Sequence, residues 1–289
     1  MKTILLIDAN LLLFKSFYAA TKINPNPNNL PAHLFFITFL EILKAEKPDY
    51  VFLAFDGIGK TKRHEEFEQY KSGRTKAPDE LYKQKEIIRE ILDAMNLKHL
   101  SKNGDEADDL IATLTNKYKD NNKILILSED KDLLQLVDKN VSVIQKNKSK
   151  SNERYIKINL DNFYEIYSFY PHQVIDYKGM AGDSSDNLPG IKGVGPKTSI
   201  QLLNKYNNLE GIYENLNNLS QKQKEIFLEN KEYAFMCKKL AKLNTSVDID
   251  FDLEYLKFDN NNFKNEKIFN TLENFKLKKI IEIIKKIIN

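Results

Sequence analysis

Nine carboxylates stand in five groups far apart in the chain: Asp8; Asp56; Glu106, Asp108 and Asp109; Asp130 and Asp132; Asp183 and Asp186. Oxygen-only donors with no His or Cys among them suit hard cations, Mg²⁺ or Mn²⁺. Brought to one place, so many acids repel each other unless cations sit between them. Two divalent ions held this way serve phosphodiester hydrolysis, which is the first hypothesis for this chain.

The elements around the acids argue that they do meet. Apolar, β-branched runs at 2–7, 50–55 and 123–127 precede Asp8, Asp56 and Asp130. Such runs read as buried parallel strands. Sites in open α/β sheets form outside the carboxyl ends of the strands. Residues 1–58 read as strand, helix, helix, strand, and the alternation continues to about residue 158. Residues 59–78 interrupt it: they are charged, begin at a Gly and carry few aliphatics. A helix opens near Pro78-Asp79, a good start signal, with Ile87, Ile88, Ile91, Leu92 and Met95 at helical spacing. Another amphipathic helix is expected over 105–118. From residue 159 the pattern is helical, with 247–251 as the one candidate strand. The stretch 275–289 sets Ile and Leu at helical spacing among lysines; it reads as a last helix packed on the core or as a face for anionic surfaces.

Bulk properties bound the answer. A chain of 289 residues with 42% apolar content can bury a sizeable core as one large domain or two small ones. No apolar run nears the roughly 20 residues needed to span a membrane, and no signal peptide is visible. The single Cys237 excludes an internal disulfide and reads as a small buried apolar residue, which fits a reducing cytoplasm. Taking the nine clustered acids out of a net charge of +3 leaves a body of +12. A basic body around an acidic hole suits a polyanion held near metals. Compositional bias accounts for much of it, since 40 Lys stand against 4 Arg, but not for where the Arg lie.

Each motif has a plainer reading. Glu106, Asp108 and Asp109 lie where acids merely complement a helix dipole. Asp130 and Asp132 could be helix caps, although their place directly after a buried strand favours a site. The most specific stretch runs from Gly182-Asp183 through Asp186-Asn187-Leu188-Pro189 to Gly190, Gly193 and Gly195, then a helix at Pro196. A Gly-rich hairpin beside a helix N-terminus bares backbone N–H groups to a phosphate, with no side chain reading a base.

Taken in order, Leu6-Ile7-Asp8, Phe55-Asp56, Arg63-His64-Glu65, Tyr70-Lys71, Gly73-Arg74, Glu106-Ala107-Asp108-Asp109, Asp130-Lys131-Asp132, the 182–190 stretch and Lys197-Thr198 form a specific signature. On these residues the chain resembles the 5′-nuclease domain of bacterial DNA polymerase I and, more broadly, flap endonucleases, over essentially its whole length. The resemblance implies a PIN-like α/β fold. Its central twisted, mostly parallel sheet is flanked by helices, with a helical arch over about 59–95. Residues 1–170 would form the catalytic core. Residues 171–289 would form a helical DNA-binding region with a helix–three-turn–helix module. It also implies a structure-specific 5′→3′ exonuclease and 5′-flap endonuclease working by two-metal hydrolysis in primer removal and repair. Asp8, Asp56, Glu106 and Asp108 would form a first metal cluster and Asp130, Asp132 and Asp183 a second. Asp109 and Asp186 would be outer or shared ligands. Lys71, Arg74 and Tyr70 would act at the reacting phosphate. Lys15, Arg63, Gly190, Gly193, Gly195, Lys197 and Thr198 would contact DNA, with K⁺ at the hairpin. Without the resemblance, Arg63, Tyr70, Lys71 and Arg74 read as a solvated face.

The implied partners are nicked or branched DNA with a 5′ end or flap, RNA primers joined to DNA, and a separate polymerase and ligase. A stand-alone monomer in the bacterial cytoplasm, associated with the nucleoid and not with a membrane, is expected. Three departures stand out. Asp105 replaces an apolar or aromatic residue, Lys15 replaces an Arg, and Ala9-Asn10 replaces a Gly plus a small residue. None removes a ligand. A non-catalytic flap-binding paralogue is the rival reading, and an RNA-processing nuclease of related fold a weaker one. The intact acids, arch and hairpin stand against both.

Overall fold

The computed structural model describes residues 1–148 and 153–288. Among them, six strands form one sheet: β1 (Lys2–Asp8), β2 (Tyr50–Asp56), β3 (Lys98–Lys102), β4 (Asn122–Leu127), β5 (Val141–Lys146) and β6 (Tyr155–Ile158). Their order is β3-β2-β1-β4-β5-β6, parallel throughout except that β6 runs antiparallel to β5. The carboxyl ends of the five parallel strands therefore share one edge. The chain winds outward from β1 to β3, then restarts at β4 on the other side of β1. That reversal opens a crevice beside Asp8.

Both faces of the sheet are covered, as its continuous apolar strands require. In β1, Leu5 and Ile7 join one core while Ile4 and Leu6 join the other, the period-2 alternation of a strand. The first face carries α1 (Ala9–Ile23) and α2 (Leu30–Glu46). Three fully buried phenylalanines, Phe35, Phe36 and Phe39, anchor α2. Each contributes roughly 1.5–3 kcal/mol by burial. A short helix, α3 (Lys62–Glu66), stands off the sheet edge, and α4 (Asp79–Ala94) returns to the first face. The second face carries α5 (Ala107–Tyr118) and α6 (Leu160–Tyr167).

Beyond these, α7 (Val174–Ala181), α8 (Pro196–Tyr206), α9 (Leu209–Glu214), α10 (Gln221–Glu229) and α11 (Lys231–Ala241) build a smaller core around Met180, Ile191, Leu203, Ile212 and Phe227. The last helices, α12 (Glu266–Asn274) and α13 (Lys278–Ile288), leave that core. Ile268, Leu272, Ile280 and Ile284 pack with α2 and α4 on the first face. The C-terminal Ile stripe is thus core packing; residue 289 lies outside the described residues. The expected strand at 247–251 is extended chain without a ladder. Its alternation arises because Val247, Ile249 and Phe251 pack on the second core, with Phe251 5.7 Å from Phe52 between ring centroids.

Candidate metal centre

The strand ends deliver the acids. Asp8 closes β1 and caps α1, its Oδ1 accepting the Leu11 N–H at 2.9 Å and its Oδ2 the Ser128 hydroxyl at 2.8 Å. Asp56 closes β2; it accepts the Ala107 N–H at 2.9 Å and the Asn10 amide at 2.5 Å. Glu106 and Asp108 open α5 after β3. Asp130 and Asp132 follow β4, with the Asp132 N–H donating to Asp130 at 2.9 Å. Asp183 and Asp186 sit in the tight loop after α7. Acids from five places in the sequence therefore meet at the crevice.

They meet as two overlapping groups. Burial raises Asp8 to about 7, with Asp56 and Asp130 adding repulsion against the Leu11 and Ser128 hydrogen bonds. Burial likewise pushes Asp108 well up, helped by Asp130 and Asp8. Asp130 is raised by burial and by Asp186 and Asp183, although Lys178 opposes this. The second group is Asp132, Asp183 and Asp186, which can each offer a ligand oxygen within 4.8 Å of the others. Asp130 links the groups. Asp186, expected at the margin, belongs to the second one.

Asp109 does not join either group. Arg63 grips its carboxylate with two bonds, at 2.8 and 2.7 Å, and the Asn244 N–H adds a third at 2.8 Å. Arg63 was expected at a DNA phosphate. Its side chain is only 11% exposed, also pairs with Glu106 at 3.1 Å, and donates to the Leu240 carbonyl at 2.9 Å. This is a buried clamp between α3, α5 and the segment after α11. Arg63 is corrected to a structural role, because carboxylates and carbonyls take all its N–H donors, and Asp109 is held in the same clamp.

The turn after α3 lies over the acids instead of standing in solvent. Tyr70 is 2% exposed, and its one hydroxyl proton is shared between Asp186 at 3.1 Å and Glu106 at 3.3 Å. Its phenol is raised by burial and by those two carboxylates. A stacking face for a base is not free here, since the ring also packs against His64 and under the Lys71 ammonium. Lys71 pairs with Glu106 at 2.9 Å and Arg74 with Asp186 at 2.7 Å. Burial lowers the Lys71 ammonium, but Glu106 and Asp186 outweigh it and leave it raised. The turn is fastened at its backbone. The Lys71 N–H donates to the Asp186 carbonyl at 3.0 Å, and Asn187 donates to the Gln69 carbonyl at 2.8 Å. Lys71 itself has φ +55°, a left-handed conformation unusual for a side-chain-bearing residue.

Sequence reasoning missed Lys178. It sits on α7, and its buried ammonium pairs with Asp132 and, at 2.5 Å, with Asp183. Burial would raise Asp183, but Lys178 and Ser185 override it and hold the carboxyl at about 2. Asp132 Oδ1 touches the ammonium yet makes no hydrogen bond of good geometry. The only signal was a lysine among small and apolar residues of a helix leading to Gly182-Asp183. Ser128 and Asn10 were missed too, because polar neighbours of an acid leave no periodic trace.

The Gly-rich hairpin divides by function. Gly190, expected at DNA, is buried with φ +62°; a Cβ there would lie 2.3 Å from the Gly182 nitrogen. It permits two backbone segments to cross and is corrected to that role. Gly193 (φ +89°) and Gly195 are exposed, with space around both. Among the described residues the amides of Lys192, Gly193 and Gly195 make no backbone hydrogen bond. Lys197 and Thr198 lie in the first turn of α8 beside them. Lys15 pairs with Glu129 at 2.6 Å. It lines a cleft of about 1000 Å³ that starts at Asp8 and Ser128.

Comparison with known proteins identifies the family and the fold. A family model described as 5′-3′ exonuclease, N-terminal resolvase-like domain, matches residues 3–167, and one described as 5′-3′ exonuclease, C-terminal SAM fold, matches residues 169–264. A 5′-3′ exonuclease of Mycoplasmopsis pulmonis is 41% identical over 285 residues, covering 98% of this chain and 93% of that protein. DNA polymerase I of Caldicellulosiruptor bescii is 36% identical over 285 residues, covering 96% of this chain but 33% of that protein. A solved structure of the bacteriophage T5 D15 flap endonuclease with DNA and metal ions superposes with a TM-score of 0.66 at 21% identity, over 98% of this chain and all of that one. That likeness supports the fold.

Proposed function

The chain belongs to the 5′-3′ exonuclease family of nucleases, and from that premise we propose that it hydrolyses DNA phosphodiesters from 5′ ends and at 5′ flaps. The observation that carries this reading is the meeting of the acids at one sheet edge beneath the Lys71–Arg74 turn. The donor set fits hard divalent cations. It is all carboxylate, and burial leaves Asp8, Asp108 and Asp130 short of compensating charge. Asp8, Asp56, Glu106, Asp108, Asp130, Asp132, Asp183 and Asp186 would hold Mg²⁺ or Mn²⁺. Bound there, such ions supply an activated water and neutralise the departing 3′ oxygen.

The chain's own residues do the rest. Lys71 and Arg74 exchange a carboxylate for the phosphate oxygens of the scissile bond, where preorganised cations act most strongly. Tyr70 holds the turn in register between Glu106 and Asp186. Exposed Gly193, Gly195 and Lys197, with half-buried Thr198, grip a duplex phosphate with K⁺ beside them, without reading sequence. Lys15 contacts the backbone in its cleft as a point charge. The α/β part up to about residue 170 thus supplies most of the acids, and the helical part from 171 adds Asp183 and Asp186 to them and holds the duplex. We read the protein as a cytoplasmic, nucleoid-associated bacterial monomer that clears flaps and RNA primers alongside a separate polymerase and ligase. Among the described residues no helix is long and apolar enough to cross a membrane. The test is Mg²⁺-dependent cleavage of a double-flap DNA beside single-stranded and blunt controls. Equal cutting of all three, or cutting unaffected by a chelator, overturns the reading.

A further inference from the structure

Three kinds of cation touch the acids, and they differ in how they are held. Arg63 is a structural clamp on Asp109. Lys71 and Arg74 come from a turn joined to its surroundings by a few hydrogen bonds. Lys178 comes from a buried helix. Its neighbour Gly179 lies so close to α11 that an added Cβ would meet the Ala234 carbonyl at 3.0 Å and Lys238 Cβ at 3.1 Å. The backbone at 178 therefore has no room to retreat. Its side chain is 6% exposed, and the ammonium sits between Asp132 and Asp183, two of the three acids whose oxygens cluster within 4.8 Å.

We propose that Lys178 is a resident cation of this cluster and sets its affinity for divalent ions. Three carboxylates carry a charge of −3; Arg74, half-exposed on the turn and paired with Asp186, and the buried Lys178 ammonium bring that to −1 before any ion arrives. The ammonium also occupies the space between two of the donors. A divalent ion at Asp132, Asp183 and Asp186 binds against this charge, and only once the ammonium has left Asp132. The side chain stays anchored by its helix, so it swings toward Asp183 or toward a substrate phosphate and is not expelled. Among the described residues no lysine or arginine is ion-paired with Asp8, Asp56, Asp108 or Asp130, although Lys71 and Lys178 stand close enough to act on Asp108 and Asp130. Without DNA the two groups therefore load unequally, with the Lys178 group the weaker. A phosphate that accepts the ammonium removes the competitor, so filling of the second group is coupled to substrate.

This inference rests on the reading of the acids as a cation site. It is tested by Mn²⁺ binding to the DNA-free protein, followed by electron paramagnetic resonance and calorimetry, for wild type, Lys178→Met, Lys178→Arg and Asp183→Asn. The expected result is that Lys178→Met tightens the weaker Mn²⁺ by about tenfold or more, as removing a neighbouring positive charge in a partly buried site should. The stronger Mn²⁺ stays unchanged, and Lys178→Arg keeps the weak affinity. A Lys178→Met protein whose weaker site is unchanged or looser, while Asp183→Asn still lowers the number of ions bound, overturns the inference and leaves the metal reading standing. No Mn²⁺ bound by any of the four overturns both. Thermal unfolding with Mn²⁺ and with a chelator shows that each variant folds. If Lys178→Met does not, Lys178→Gln replaces it.

Discussion

The charge state of Asp8 makes the stability of the metal-free protein fall as pH rises. Burial lifts this carboxyl from 3.8 to about 7. A group whose folded value exceeds its unfolded value binds an extra proton in the native state between the two, so stability is full below about 4 and lost as pH climbs through 7. One unit corresponds to about 1.4 kcal/mol, so the shift costs on the order of 4 kcal/mol above pH 7. Asp108 and Asp130 shift in the same direction. Asp8→Asn removes this part of the slope. Its carbonyl still accepts from Leu11 N–H, and the Ser128 hydroxyl can turn to accept from the new amide. Urea unfolding in a chelator, from pH 4.5 to 8.5, should show wild type losing stability across this window. Asp8→Asn should match it near pH 4.5 and exceed it by a few kcal/mol at pH 8.5. Adding Mg²⁺ or Mn²⁺ at high pH should stabilise the wild type more than the variant, which keeps the Asp132, Asp183 and Asp186 group but lacks the Asp8 carboxylate. Wild-type stability that rises with pH through this window, or an Asp8→Asn protein with the wild-type slope, would refute the argument.

Removing one partner of the Arg63–Asp109 clamp leaves a buried charge alone, so Arg63→Met should destabilise by about 3–5 kcal/mol in urea unfolding; a loss confined to DNA binding would return Arg63 to a phosphate. Asp130→Ala with Asp132→Ala should abolish cleavage and keep flap binding, measured by fluorescence anisotropy, within a few fold; equal loss of both would mean the acids serve the fold. Gly193→Val places a β-branched residue at φ +89° and blocks the approach of a phosphate, so binding of substrates with downstream duplex should fall while single-strand binding holds. Arg74→Ala should slow turnover far more than it lowers the melting temperature, because its side chain is 48% exposed; the reverse pattern would make Arg74 a structural partner only.

Much of this site was legible because its acids follow strands. An apolar run ending in Asp, repeated at residues 7–8, 55–56 and 127–130, places carboxylates at one sheet edge by period alone. What periodicity does not encode is who neutralises whom. Lys178 reads as one of 40 lysines until α7 is seen to point it between Asp132 and Asp183. Gly190 and Gly193 look alike in sequence, yet one lets backbones cross and the other faces open space. The 247–251 stretch alternates like a strand because a coil on a core meets the same in-and-out demand, and nothing local says that no strand lies beside it.

The turn at 67–74 shows why the two descriptions of its basic residues are compatible. In sequence it is charged and poor in aliphatics, which suggests a segment with nothing to hold it. In the structure Lys71 and Arg74 hold Glu106 and Asp186, and Tyr70 is buried between the same two acids. Side chains suited to a phosphate are equally suited to a carboxylate, since both are oxyanions bound by the same N–H donors. Acids crowded at a sheet edge draw the turn down and bury it by charge where apolar contacts are few. Docking of this turn therefore depends on the acids it covers: whatever neutralises Glu106 and Asp186 weakens its hold, and whatever leaves them bare strengthens it.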